Sequence, residues 1–158
     1  MLKHILATAT ALLFFGGTVS TAKAPPPKPI KATQAVEYQL REAIPAPPIP
    51  AEALHPEWWG LAREVGWEEN QMLTLDYVIH RESRGQMKAF NKSDPNGGSV
   101  CLLQINKFWV KYLRQHNVIK QAEDLYDPRT CLTAGLTIYR YGVDRYGWGW
   151  SPWAIKQP

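Results

Sequence analysis

The chain is 158 residues long and 45% hydrophobic, with a formal charge of +4 and two cysteines. That is enough for one domain with a real core and not comfortably enough for two. The mild positive charge suits an anionic partner without demanding nucleic acid, and no zinc-finger, RNP or lysine-run pattern argues for nucleic acid. Two cysteines and four scattered histidines show no metal-ligand spacing, so neither a metal nor a cofactor is expected.

The first residues, MLKH, supply positive charge, and ILATATALLFFGGTV follows as a short apolar run broken by threonine and glycine. This is the pattern of a secretory signal peptide, expected over residues 1–22. Ser20 and Ala22 are small residues at the positions a signal peptidase reads; a cut after Ala24 would leave Pro25 beside it, so cleavage after Ala22 is favoured. The alternative is an uncleaved N-terminal anchor, for which the run is short. Either way the body of the protein is exported, and it meets the membrane only through an uncleaved leader. In an oxidising compartment a lone pair of cysteines, Cys101 and Cys131, most simply forms one disulfide. Closing a loop of about 30 residues, such a bridge contributes roughly 3–4 kcal/mol through loop entropy.

Between Pro25 and Pro56 lie nine of the thirteen prolines, in PPPKP and PAPPIP clusters around ATQAVEYQLREAI. Residues 23–55 therefore read as a semi-rigid tether with at most a short helix in its middle. The pattern turns helical over 56–158. Pro56 suits the first turn of PEWWGLAREV, which Gly66 ends. WEENQMLTLDYVIHRES carries acids in its first turn, runs as a second helix and stops at Gly85. AFNKSDPNGGSV is dense in turn residues and predicts a short hairpin or an irregular loop. CLLQINKFWVKYLRQH is expected to resume as helix, and Asp127-Pro128 to act as N-cap and N1 of RTCLTAGLTIYRYG. The closing YGWGWSPW reads as irregular. The sum is a small, mainly α domain with a minor β-hairpin or loop lobe.

Within the second helix, HRESRG places Glu82 between Arg81 and Arg84. At about 100° per residue, with Leu75 at zero, Val78 falls at about 300°, Ile79 at about 40° and Glu82 at about 340°. Glu82 thus lies in the apolar stripe, whereas Arg81 and Arg84 diverge from it by about 100° and 160°. If the stripe packs into the core, Glu82 is partly desolvated, which favours its protonated form. The expectation is a half-buried Glu82 with neither guanidinium within salt-bridge reach. On these residues alone Glu82 is either an acid catalyst or a structural carboxylate bonded to loop amides.

The ordered series ESRG at 82–85, AFN at 89–91, DPNGGS at 94–99 and LLQIN at 102–106 followed by FW resembles the lysozyme-like lytic transglycosylases of the soluble-lytic-transglycosylase catalytic family, in particular its short secreted bacterial members. The likeness continues through LYDPRTCLTAGLTIYR and GWSPW, over about residues 56–153. It implies a lysozyme-like α+β fold with a cleft. It also implies cleavage of the β-1,4 bond between N-acetylmuramic acid and N-acetylglucosamine in peptidoglycan; cell-wall polymers, which carry peptide carboxylates and often phosphates, suit a basic protein. By the resemblance Glu82 protonates the leaving glycosidic oxygen, then accepts the proton of the C6 hydroxyl, closing a 1,6-anhydro ring without water.

Animal-type lysozymes have a related string, D-Y-G-x-L-Q-I-N. Aligned on Gln104, Ile105 and Asn106, it puts Ser99 at the aspartate, so the usual second carboxylate is missing and the one-carboxylate scheme is favoured over the two-carboxylate one. Asp94 keeps an inverting hydrolase open, although an Asp-Pro turn former is its simpler role. Ser83 either hydrogen-bonds the glycan or its own helix backbone. Gln104 and Asn106 match cleft positions where amides read acetamido and hydroxyl groups. Asn91 does likewise or caps the loop, and Tyr139 is a cleft aromatic or a core one. Trp109, Trp148, Trp150 and Trp153 can stack on sugars or pack in the core.

Family members usually carry glycine at position 101 and a polar residue at 131. The joint departure suggests that a Cys101–Cys131 bridge replaces a polar contact between the cleft segment and the last helix. The A-Y-N-A-G segment of larger members is also missing. The expectation is a monomeric, secreted, wall-associated transglycosylase. A hydrolytic muramidase, or an inactive peptidoglycan-binding module on a proline tether, are the alternatives.

Overall fold

The computed structural model describes residues 45–157; the expected signal peptide and most of the proline-rich tether, residues 1–44, lie outside the described residues. Among the described residues four α-helices form, three of them where sequence signals mark their ends. A 3₁₀ turn at Pro56–Trp58, opened by its proline, leads into α1, Trp59–Val65, which ends on Gly66 at φ 99°. The second helix, α2, spans Glu69–Ser83, and Glu68 and Gln71 begin it with a reciprocal capping box. It stops at Arg84, which takes a left-handed conformation (φ 55°). After α3, Val110–Gln115, a 3₁₀ turn at Ala122–Tyr126 precedes α4, Pro128–Tyr146. Asp127 caps α4 by accepting from the Thr130 amide and hydroxyl, both at 2.8 Å. Among the described residues no helix is long and apolar enough to cross a membrane.

The loop lobe is a three-stranded antiparallel sheet rather than a single hairpin. Phe90–Asn91 (β1) pairs with Ser99–Val100 (β2), which pairs with Ile105–Asn106 (β3), in the register Phe90↔Val100 and Val100↔Ile105. The expected continuous helix from 101 to 116 is therefore corrected. Cys101 (φ 68°) and Gln104 (φ 45°) bracket a turn that no α-helix accommodates. Asn106 then accepts from the Phe108 amide at 2.9 Å, opening the 3₁₀ turn Lys107–Trp109 that leads into α3. A helical apolar period is present in this stretch, but the sheet takes the amides that a helix would need.

The core gathers side chains from α1, α2 and α4 and from the 101–104 turn. Met72, Leu75, Val78 and Ile79 of α2 and Leu132, Leu136 and Ile138 of α4 are buried in one cluster with Leu102, Leu103 and Ile105 from the turn and β3. The tail joins it: Trp150 stacks on Trp67 with ring centroids 5.4 Å apart, and Trp153 donates its indole N–H to the Leu103 carbonyl at 2.9 Å. A second support is polar. The buried Asp76 of α2 accepts from the amides of Leu54 (2.7 Å) and His55 (2.8 Å) and from the Trp59 indole (3.2 Å). These bonds tie the last residues before the 3₁₀ turn, and α1, to α2.

Cys101 and Cys131 are bonded, with Cα atoms 6.3 Å apart. One helical turn beyond Cys131, Gly135 lies so close to Leu103 that a Cβ there would fall 2.2 Å from Leu103 Cδ1. The disulfide and this bare patch of α4 together seat the 101–104 turn. Cys101 holds a conformation that glycine adopts without cost, so the bridge opposes a local strain at its own anchor.

Two stability predictions follow from these contacts. The bridge-free pair Cys101→Gly with Cys131→Ala loses roughly 2–3 kcal/mol in denaturant titration, yet exceeds Cys101→Ala with Cys131→Ala by about 1 kcal/mol, because glycine relieves the left-handed strain. At the α4 cap, the Thr130 amide and hydroxyl hold the Asp127 carboxyl below the usual aspartate range. Asp127→Ala costs about 1 kcal/mol at neutral pH. With a depressed folded-state value, that contribution is complete above the unfolded value of about 3.9 and is lost as pH falls through the folded one. The stabilities of wild type and variant therefore converge in acid.

Candidate functional site

A cleft of about 420 Å³ opens where α2 ends, a size in the range of ligand sites. Arg81 and Glu82 form one wall, the loop residues Asp94 and Pro95 with Ser99, Gln104, Ile105 and Asn106 another, and Trp109, Ile138 and the tail residues Pro152, Trp153 and Ala154 complete it. The structure thus brings Glu82 together with Gln104 and Asn106, from two separate stretches of sequence.

Glu82 sits on the last turn of α2. The stripe that buries Leu75, Val78 and Ile79 runs out of core there, and the Glu82 side chain is 24% exposed, neither solvated nor enclosed. Its relation to the arginines differs from the helical-wheel expectation in one half. Arg81 is ion-paired with Glu82: its Nε donates to Oε1 at 2.9 Å, and Nη2 donates to the same oxygen. Nη2 also donates to the Trp153 carbonyl at 2.5 Å. The wheel separates Cβ directions, but an arginine side chain is long enough to fold back round the end of a helix, where no further turn blocks it.

Arg84 does stay off Glu82. Its guanidinium meets His80 Nε2 at 2.5 Å, His80 Nδ1 faces His55 Nε2 at 3.2 Å, and His55 Nδ1 faces Glu57 Oε1 at 3.2 Å. Arginine only donates and a carboxylate only accepts, so all three bonds hold together when each imidazole is neutral and carries its proton on Nδ1. Gly85 makes room for this chain, since a Cβ there would lie 2.3 Å from His55 Nδ1.

Across the cleft, Gln104 donates its amide nitrogen to the Cys101 carbonyl at 3.2 Å, which leaves its oxygen without a partner among the described residues. Asn106 is committed at both ends: Nδ2 donates to the Pro95 carbonyl (2.9 Å) and to Ser99 Oγ (3.2 Å), and Oδ1 accepts from Phe108. It lines the cleft while fixing the loop that forms it. Asp94 is half-buried on the same wall and accepts from Asn91 Nδ2 at 2.8 Å.

Three candidates lie elsewhere. Ser83 is buried and donates to the Ile79 carbonyl at 3.0 Å, the backbone alternative. Asn91 is exposed and caps the loop, accepting from the Ser93 amide at 3.1 Å. Tyr139 packs edge-on against Trp67 and Trp150 in the core. Of the four tryptophans, Trp109 and Trp153 reach the cleft, whereas Trp150 is buried and Trp148 is bonded to the Ile155 carbonyl at 2.7 Å. Sequence reasoning missed Arg81 as a member of the site and Asp76 as the structural carboxylate. Asp76 has a signal: on the same wheel it falls at about 100°, at the edge of the stripe and facing the tryptophan pair of the preceding helix. Arg81 has none, because its placement depends on the tail. Among the described residues no group of three or more His, Cys, Asp or Glu is arranged to hold a metal ion.

Because both ends of the Asn106 amide are used by the loop, Asn106→Ala is expected to cost about 1–3 kcal/mol of stability in chemical denaturation. Gln104→Ala, whose amide makes one long bond, is expected to change stability by less than about 1 kcal/mol.

Comparison with protein families, curated proteins and solved structures finds no match to this chain.

Proposed function

We propose that the protein is an exported peptidoglycan lytic transglycosylase in which Glu82 is the acid and then the base. The observation that carries this reading is a single partly exposed glutamate on the last turn of a core helix, facing amide and indole groups across an open cleft. The one acceptor oxygen of Gln104 suits an acetamido N–H or a sugar hydroxyl, and Trp109 offers an aromatic face to a sugar ring. Ser99, where the animal-type string has its aspartate, is buried and bonded to Asn106, so that position supplies no charge to an oxocarbenium-like centre.

In the proposed reaction Glu82 gives its proton to the glycosidic oxygen as the bond from C1 to that oxygen breaks. The substrate's acetamido group assists at C1. The C6 oxygen then bonds to C1 while its proton passes to Glu82, which returns the acid to its starting state. One bond from C1 to oxygen is lost and one is formed, and no water is consumed. The disulfide supports export, since such bridges persist in oxidising compartments.

A second reading rests on Asp94, a carboxylate lining the same cleft. There it would activate water, and the protein would be an inverting muramidase. Paired variants separate the two. Glu82→Gln lowers clearing of purified sacculi by at least about 10²-fold under either reading. Asp94→Asn leaves clearing within a few-fold of wild type if Glu82 acts alone and abolishes it if Asp94 activates water. Wild-type clearing by Glu82→Gln contradicts both.

A further inference from the structure

Both N–H donors that Arg81 directs at Glu82 end on one oxygen. Nε and Nη2 meet Oε1, and among the described residues no hydrogen bond reaches Oε2. An arginine facing a carboxylate commonly spreads its fork over both oxygens. Here Nη2 is shared with the Trp153 carbonyl at 2.5 Å, and that contact keeps the fork from turning to span the carboxyl group. The Trp153 carbonyl is a firm anchor, because its own indole is buried, bonded to Leu103, and packed with its edge on Trp150 at 5.9 Å.

The two oxygens of Glu82 are therefore chemically different. Oε1 already accepts two N–H bonds and has no room for a proton; a proton on this group belongs on Oε2. A protonated carboxyl group still has a carbonyl-type oxygen that accepts, so hydrogen bonding lets the guanidinium and the acid proton occupy opposite oxygens, while the charge of Arg81 favours the ionised form and promotes release of that proton. The charged groups near Glu82 are Arg81 on its own helix and Asp94 on the facing loop. Arg84 and His80 are committed to the chain that ends at Glu57.

We propose that Arg81 is a positioning residue that assigns the transferable proton to Oε2 of Glu82. This rests on the reading of Glu82 as the acid. When the proton leaves Oε2 for the glycosidic oxygen, the electron pair remains on the carboxylate and the new charge is shared with Oε1, facing the guanidinium. When the C6 hydroxyl proton arrives, it returns to Oε2. Arg81 neither gains nor loses a proton in either step. The tail thereby enters the chemistry at one remove, since the Trp153 carbonyl fixes the arginine that fixes the acid.

The test is steady-state kinetics of the exported full chain on solubilised glycan strands, with wild type, Arg81→Ala, Arg81→Lys and Glu82→Gln side by side. The expected result for Arg81→Ala is a loss of about 10²-fold in kcat with KM within about twofold, as for a misplaced catalytic group. Millimolar guanidinium ion restores part of that loss, which it does not do for Glu82→Gln. Arg81→Lys, whose single ammonium cannot serve Oε1 twice and Trp153 as well, falls between, and it carries the test if the alanine variant does not fold. The inference is overturned if Glu82→Gln is inactive while both Arg81 variants keep wild-type kcat, if their loss appears in KM alone, or if guanidinium restores nothing. Should Glu82→Gln itself retain wild-type kcat, the reading of Glu82 fails and the role of Arg81 falls with it.

Discussion

The cleft depends on where α2 stops being covered. Three N–H donors from the chain before it and from α1 converge on the buried Asp76, and the apolar stripe of Met72, Leu75, Val78 and Ile79 is buried in the core cluster. The helix is thus held along its length from a polar side and an apolar side at once. Glu82 stands on its last turn, partly exposed at the cleft, where Ser83 is still buried and Arg81 is tied to the Trp153 carbonyl. A carboxylate in the stripe one turn earlier would be buried at a cost of several kcal/mol unless bonded as Asp76 is. One turn later it would be solvated. The left-handed Arg84 and the glycine behind it end the helix at this register.

The opposite wall is kept in place by a different device. The 101–104 turn is a short excursion between two strands, with unfavourable backbone at both ends. It is seated on α4 by a disulfide and by the missing side chain of Gly135, one turn apart on the same helix. The loop at 92–98 then hangs on Asn106, whose amide bonds Pro95, Ser99 and Phe108. Each wall is therefore fixed by contacts to the core, and the groups that face across the gap are placed by rigid elements, as chemistry at a fixed distance requires.

Much of this was legible in the sequence wherever a local rule decides. Asp127-Pro128, Pro56 and Gly66 mark helix ends through backbone chemistry that needs no partner. The placement of Glu82 in the apolar stripe follows from periodicity alone. Three features were not legible because distant contacts decide them. The 101–116 stretch has a helical pattern of apolar residues, but pairing with β2 and the left-handed Cys101 and Gln104 override it. For Tyr139 and Trp150 the sequence leaves a sugar platform and a core aromatic both open; they pack on each other and on Trp67, and the fold of the tail decides that. Arg81 points away from Glu82 on an ideal wheel and returns to it because the Trp153 carbonyl, 72 residues on, offers a second acceptor at the right place.

In the proposed reaction one carboxyl group works twice without water. The most direct measurement is the mass of the muropeptides released from purified sacculi by the wild-type protein in water enriched in heavy oxygen. The proposed transglycosylase reaction gives 1,6-anhydro ends, one water lighter than reducing ends and free of the label. Reducing ends carrying one labelled oxygen would contradict it and assign the chemistry to hydrolysis.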